Sequence, residues 1–196
     1  MCIRDSLRTG ITLDVYSNGT NSIPSSDKTY TNNYNRIRQV NTLLQQAEGY
    51  AAPADIETSV GEAHFFRAYC YFDLLQVYGD VIITRTPLDI DSPEMQMARN
   101  SRDEVVDFIL EDLEEAIRLL PEANEISSKD EGRLSSQAAS AFLSRVALYE
   151  GTWQKFRNGG QNNDRSSALL DIAATSAHDV IESGFFELFA PEELGT

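Results

Sequence analysis

The chain has 196 residues, with 16 Lys or Arg against 31 Asp or Glu, so its formal net charge at pH 7 is −15. A field of this sign repels nucleic acid and anionic lipid headgroups, which argues against either as a partner. Hydrophobic residues make up 41% of the chain, and no uncharged stretch approaches the roughly 18 apolar residues that a membrane span requires. These values predict a globular protein with one core, or two small ones.

The first thirty residues are rich in Ser, Thr, Asn and Gly, which favours an extended surface loop. Aromatic rings in such a loop can stack on the apolar face of a sugar, while amide side chains bind its hydroxyl groups. An ordinary polar loop with incidental aromatic residues is the alternative interpretation. The candidate ligand-binding residues are Tyr16, Asn18, Asn21, Tyr30 and Asn32.

Helical periodicity begins after this loop. Apolar residues at three- and four-residue steps predict a first amphipathic helix from about Tyr30 to a stop at Gly49. A second, longer helix is predicted from Pro53 to Gly79, and because it is apolar on most sides it should be central. Residues 80–100 contain a short β-branched run and two prolines, which indicates an extended crossing segment.

Three more helices are predicted in the second half of the chain. Ser101 followed by Glu104 is a capping box that starts the third helix. A fourth is predicted over residues 138–150 and a fifth from about residue 166 to residue 183. The expected apolar stripe of the fourth helix consists of Ala138, Ala141, Phe142, Arg145 and Tyr149.

An internal repeat suggests how these helices are organised. The pattern Ala-x-x-x-Arg-x-x-x-Tyr is centred on Arg67 in the second helix and recurs around Arg145 in the fourth, 78 residues later. Outer and inner helices therefore alternate, as in superhelical repeat arrays, but without a regular 34-residue period. The predicted fold class is all-α: an irregular tetratricopeptide-like helical-repeat array with long loop insertions.

Some polar groups are expected inside this array. Arg67 and Arg145 both lie in the middle of an apolar stripe, so both are predicted to be buried and to need an acidic partner. Asp112, at the edge of the third helix's stripe, is the candidate partner. Cys70 lies between aromatic residues and is expected to be a buried free thiol.

Motifs that carry chemistry are few. The sequence has neither a phosphate-binding glycine loop nor a dinucleotide-binding glycine motif. His64 and His178 have no metal-binding or catalytic spacing and are interpreted as structural. The acidic residues Asp89, Asp91 and Glu94 are a calcium-site alternative, but they lack the pattern of an EF-hand loop. We therefore expect no catalytic residue, no metal and no cofactor.

Four segments, in order along the chain, carry a more specific pattern. The first is GEAHFFRAYCYFDLL at residues 61–75, followed by VYGDV at residues 77–81; the others begin at Arg99, Gly132 and Val180. Together they resemble the motifs of the SusD/RagB family over about residues 14–189. Ile82 stands where that family commonly has proline, which affects only the local turn.

This resemblance implies a non-catalytic surface lipoprotein of Bacteroidota, on the extracellular face of the outer membrane, that binds a glycan or other nutrient. Its implied partner is a SusC-like TonB-dependent outer-membrane transporter. Residues 14–196 are then expected to be the N-terminal part of a longer domain, after a non-matching or poorly ordered segment 1–13. The family's leader and lipid-bearing cysteine are not found in this sequence, so any lipid anchor is expected outside it. A generic helical-repeat protein-protein interaction scaffold remains the alternative.

Overall fold

The computed structural model describes residue 22, residues 25–157 and residues 163–187. These residues form five α-helices in chain order: α1 (Lys28–Glu48), α2 (Glu57–Tyr78), α3 (Arg102–Leu119), α4 (Ser136–Arg157) and α5 (Asn163–Glu182). Short 3₁₀ helices occupy Pro53–Ile56 and Pro93–Gln96. Within the described ranges the prediction of an all-α helical array is confirmed. In the same ranges, no helix combines the length and apolar character that crossing a membrane would need.

The helix starts follow from local hydrogen bonding. Asp27 caps α1, its side chain accepting from the Thr29 amide at 2.7 Å. The capping box of α3 is present, with the Ser101 amide donating to Glu104 at 2.8 Å and the Glu104 amide donating to the Ser101 hydroxyl at 3.4 Å. The second helix differs from its prediction at one end, because its first turn is the 3₁₀ helix and α-geometry begins only at Glu57.

The core lies between α2 and its neighbours. Consecutive helices pack in order from α1 to α5, so α2 is enclosed by α1 and α3, and its aromatic rings also reach α4. Two helical glycines permit close approach: a Cβ on Gly61 would lie 3.0 Å from the Leu119 Cβ, and one on Gly151 would lie 3.0 Å from the Leu170 Cγ. The largest fully buried side chains include Tyr71, Phe108, Ile37, Leu74, Leu75, Ile109 and Leu113.

The set of α4 residues predicted to face the core differs from the set that is buried in the structure. The helix runs past residue 150 to Arg157, and its buried residues are Gln137, Ala139, Leu143, Val146, Ala147, Glu150, Gly151 and Gln154. Ala141 and Arg145 are exposed, so the prediction of a buried Arg145 is wrong. The reason is that α4 packs against both α3 and α5, so its buried face is broad and turned away from the arginine.

A backbone hydrogen bond joins the two ends of the crossing segment between α2 and α3. The Asn100 amide donates to the Val81 carbonyl at 2.9 Å, the single β-type bridge among the described residues. Gly79 ends α2 with a backbone φ of 71°, a conformation that residues with a Cβ atom rarely adopt. The extended prediction for residues 80–100 is thus confirmed apart from the 3₁₀ turn at Pro93–Gln96.

Candidate binding surfaces

The predicted sugar-binding residues are only partly within the described chain. Tyr16, Asn18 and Asn21 lie outside the described residues. Tyr30 and Asn32 do not lie in a loop; they lie in the first turns of α1, which begins at Lys28 after the Asp27 cap. Residues two apart on a helix point in different directions. Tyr30 and Asn32 are both exposed, but the helix does not bring them together on one face.

Tyr30 belongs to a small tyrosine cluster. Its ring centroid lies 4.6 Å from that of Tyr34 and 5.3 Å from that of Tyr78, which it meets edge-on. The side chain remains 36% exposed, so part of the ring is open to a ligand. Beneath it, Asn33 donates to Asp73 at 2.6 Å and joins α1 to α2. We refer to Tyr30, Tyr34 and Tyr78, whose rings pack together at the start of α1, as the tyrosine ledge.

The crossing segment is held beside this ledge by side chains of α1 and α2. The Tyr34 hydroxyl donates to the Ile82 carbonyl at 2.8 Å and accepts from the Ile82 amide at 3.0 Å. Farther on, Asn41 donates to the Thr84 carbonyl at 2.9 Å and the Tyr71 hydroxyl accepts from the Thr84 amide at 2.8 Å. Burial raises the pKa of Tyr34 and Tyr71, so both stay neutral and can donate and accept simultaneously.

The core contains the ion pair that the sequence predicts. Arg67 donates from Nε to Asp112 Oδ2 at 2.8 Å and from Nη2 to Asp112 Oδ1 at 2.7 Å. The residues are only 5% and 2% exposed. Arg67 also donates to the Asn41 side-chain oxygen at 2.8 Å, and His64 Nδ1 lies 2.7 Å from Asp112. This arrangement satisfies the buried charges and joins α1, α2 and α3.

A second buried ion pair was missed by the sequence reasoning. Glu150 of α4 is fully buried and accepts from Arg102 Nε of α3 at 2.9 Å. The Arg102 guanidinium also lies over the Trp153 ring, with Cζ 4.0 Å from its centroid. Glu150 is four residues after Val146 and seven after Leu143, so a stripe in the correct register would have included it.

A cavity of about 720 Å³ opens where the end of α1 meets the start of α2 and the end of α3. Its lining includes His64 and Arg67 together with apolar residues such as Val60 and Leu119. Neither Phe, Tyr nor Trp lines it. The cavity therefore offers no stacking surface of the kind expected for a sugar.

An aromatic groove of about 520 Å³ lies across α1, α2 and α4. Phe66 and Tyr69 are 51% and 48% exposed on its rim. The Phe142 ring lies 5.6 Å from that of Tyr69, nearly parallel to it, and 5.3 Å from that of Phe65. The full lining is Arg36, Gln39, Val40, Phe65, Phe66, Tyr69, Cys70, Phe142 and Arg145. We refer to these residues as the aromatic groove.

The cysteine and the two histidines of the described chain lie in surroundings that do not activate them for chemistry. Cys70 is a buried free thiol, as predicted, and burial raises its pKa to about 11, so it is not a nucleophile at neutral pH. His64 is held by Asp112, and His178 lies near the end of α5 with Glu182 at 4.0 Å. Over the described ranges, three or more His, Cys, Asp and Glu side chains are nowhere grouped as a metal site requires.

Comparison with known proteins gives one consistent result. Residues 9–148 match a SusD-like family model described as starch-binding and associating with the outer membrane. A SusD-like protein of Bacteroides ovatus is 30% identical over 155 residues, covering 79% of this chain and 26% of the relative. The chain therefore spans about a quarter of the length of that relative.

Solved structures show the same similarity. A SusD-like protein of Bacteroides fragilis is 28% identical with a TM-score of 0.68, covering 83% of this chain and 28% of that one. A laminarin-binding SusD-like protein is 27% identical with a TM-score of 0.63, covering 81% of this chain and 32% of that one. The sequence comparisons and the structural comparisons thus both give SusD-like proteins as relatives.

Proposed function

Because the chain belongs to the SusD-like family of starch-binding proteins that associate with the outer membrane, we propose that it is the N-terminal, helical part of a non-catalytic glycan-binding protein. The observation that carries this proposal is the family match over residues 9–148, which includes α1, α2 and α3 and the buried Arg67–Asp112 pair between them. The laminarin-binding relative supports a polysaccharide as the ligand class. A glycan or a related nutrient is therefore the proposed ligand.

Within the described chain, the tyrosine ledge is the part best suited to glycan contact. Tyr30 presents an exposed portion of its ring on a base fixed by Tyr34 and Tyr78, and a preorganised aromatic face stacks on a sugar at little entropic cost. Tyr16, Asn18 and Asn21 remain proposed ligand residues. Asn32 lies on a different face of α1 from Tyr30, and we propose that it binds by hydrogen bonding a ligand large enough to contact both faces.

The proposed setting is the extracellular face of the outer membrane, with a lipid anchor outside this sequence and a SusC-like TonB-dependent transporter as partner. The family's association with the outer membrane supports this setting.

Calorimetric titration with laminarin, starch and xyloglucan oligosaccharides tests the glycan proposal. The 196-residue chain should fold yet bind weakly or not at all, because only part of the proposed site is present. The complete gene product should bind one of these glycans. In that protein Tyr30→Ala should weaken binding about fivefold, corresponding to about 1 kcal/mol of lost stacking.

Tyr50→Ala is the matched control, because Tyr50 is a half-exposed tyrosine just beyond α1 and away from the ledge. An equal effect of both substitutions would contradict the role of the ledge. If the complete protein binds none of the glycans but captures proteins through its helices, the alternative of a generic interaction scaffold replaces the proposal.

A further inference from the structure

Two carboxylates beside the tyrosine ledge have no cationic partner among the described residues. The Asp27 carboxylate accepts from the Thr29 amide at 2.7 Å, and the Asp73 carboxylate accepts from the Asn33 side-chain amide at 2.6 Å. Both donors are neutral, and neither acid forms an ion pair with a Lys, Arg or His of the described ranges. Each carboxylate therefore keeps its negative charge.

Both charges act on the rings that form the ledge. Asp27 is the cap residue of α1 and lies three residues before Tyr30. Asp73 bonds to Asn33, which is 2% exposed and lies three residues after Tyr30 along the same side of α1. Burial and the negative charges of Asp27 and Asp73 raise the pKa of Tyr78. The Tyr78 ring in turn lies 5.3 Å from that of Tyr30.

The cations of α1 do not offset these charges. Lys28 lies two residues before Tyr30 and Arg36 six residues after it, so at 3.6 residues per turn both point to other sides of the helix. Arg38 is about 12 Å farther along the helix axis than Tyr30, and it donates to the Leu88 carbonyl. At physiological salt, charges beyond about 8 Å are screened, so the two nearby acids set the charge that a ligand on Tyr30 meets.

We infer that Asp27 and Asp73 make the tyrosine ledge selective for glycans without acidic groups, so that it accepts uncharged or amino-bearing sugars and rejects uronic and sulfated ones. An acidic group on a sugar stacked over Tyr30 meets two like charges, whereas an ammonium group meets two opposite charges. This inference rests on the proposed glycan role of the ledge and adds the class of sugar that the ledge accepts. A unit charge acting on two carboxylates at roughly 8 Å through water changes the affinity about fivefold.

Oligosaccharides that differ only in charge test this selectivity. Laminarin, starch and xyloglucan oligosaccharides are each prepared in three forms: unmodified, with carboxylates in place of some primary alcohols, and with amines in place of the same alcohols. Calorimetric titration of the complete protein at pH 6 uses about 10 mM salt, at which charges interact over about 30 Å. The carboxylate form should bind about fivefold more weakly than the unmodified form, and the amine form about fivefold more tightly.

Removal of both charges provides the second measurement. Asp27→Asn combined with Asp73→Asn keeps the hydrogen bonds, because Asn caps a helix as well as Asp does and its side-chain oxygen still accepts from Asn33. The ratio of amine-form to carboxylate-form affinity should fall about fivefold or more. Both forms are measured on the same variant, so partial loss of folded protein does not change this ratio. Asp55→Asn is the matched control, an exposed acid just before α2 and at the opposite end of that helix from Tyr78, and it should leave the ratio unchanged.

The outcomes separate this inference from the proposed function. If Tyr30→Ala weakens binding while the ratio is the same with and without the charges of Asp27 and Asp73, the ledge binds the glycan and the two acids do not select it. Equal affinity for the carboxylate and unmodified forms in the unsubstituted protein would also overturn the selectivity. If Tyr30→Ala changes the binding of no form, the glycan role of the ledge is wrong and the inference is wrong with it.

Discussion

Removal of the Asp112 charge should be the most damaging single polar change in the core. In Asp112→Asn the Arg67 guanidinium stays buried, but it loses its counter-ion and keeps only neutral acceptors, including Asn41. Breaking a buried pair by removing one partner costs about 3 to 5 kcal/mol. For a chain of this length each kcal/mol lowers the melting temperature by about 2 to 4 °C, so we expect a decrease of about 6 to 20 °C.

Glu111→Gln is the matched control for this experiment. It removes a carboxylate at the adjacent position of α3, where Glu111 pairs with Arg85 on the exposed surface, and such pairs contribute about 0 to 1 kcal/mol. Urea denaturation followed by circular dichroism measures both variants. The double substitution Arg67→Met with Asp112→Leu should be more stable than Asp112→Asn, because apolar replacement removes the unpaired charge. Equal midpoints for Asp112→Asn and Glu111→Gln would refute the reasoning.

Four further predictions concern local features. Ser101→Ala should lower the free energy of unfolding by about 1 kcal/mol through loss of the α3 cap, and an unchanged urea midpoint would contradict this. Hydrogen bonds to Ser101 lower the pKa of Glu104 in the folded protein, so the Glu104 carboxylate takes up a proton more readily in the unfolded chain than in the folded one. The ionised Glu104 therefore stabilises the folded protein above about pH 4.5, and this contribution is lost as the pH falls below that value. Glu104→Gln should therefore flatten the acid limb of a stability profile measured from pH 6 to pH 3. Gly61→Ala should destabilise the protein despite the better helix propensity of Ala, because its methyl group meets a leucine of α3 at 3.0 Å, and a raised melting temperature would show that the helices can separate without cost. With Cys2→Ser in place, Cys70 should react with Ellman's reagent at pH 8 only in urea; rapid labelling of the native protein would mean that the site opens readily.

Helix number and most helix boundaries could be predicted because they depend on local signals. The Ser101 capping box and the stops at Gly49 and Gly79 act within one turn of the chain. The Arg67–Asp112 pair was also predictable, since a charge on a continuous apolar stripe has few alternatives to an acid on the neighbouring helix.

Which face of α4 is buried could not be predicted from such local signals. Its residues are small and mixed, so two registers of the stripe had similar apolar content, and packing against α3 and α5 selected the one that buries Glu150. A single sequence does not show that Arg102 would meet this acid. The exposed Arg145 instead became part of the aromatic groove.

The proposed sugar-binding residues illustrate a different obstacle. Composition indicates which residue types suit a ligand but not which way they point. The Asp27 cap extends α1 toward the N-terminus, so Tyr30 joins a tyrosine cluster while Asn32 is turned away from it.

The two buried ion pairs have a consequence for how this array opens. Repeat proteins tend to unfold in segments, because each helix contacts only its neighbours and separation at one interface leaves the others intact. Here opening the α2–α3 interface would expose the Arg67–Asp112 pair, and opening the α3–α4 interface would expose the Arg102–Glu150 pair. Because α3 contributes one member to each pair, the central three helices should exchange their amide hydrogens as a single foldon.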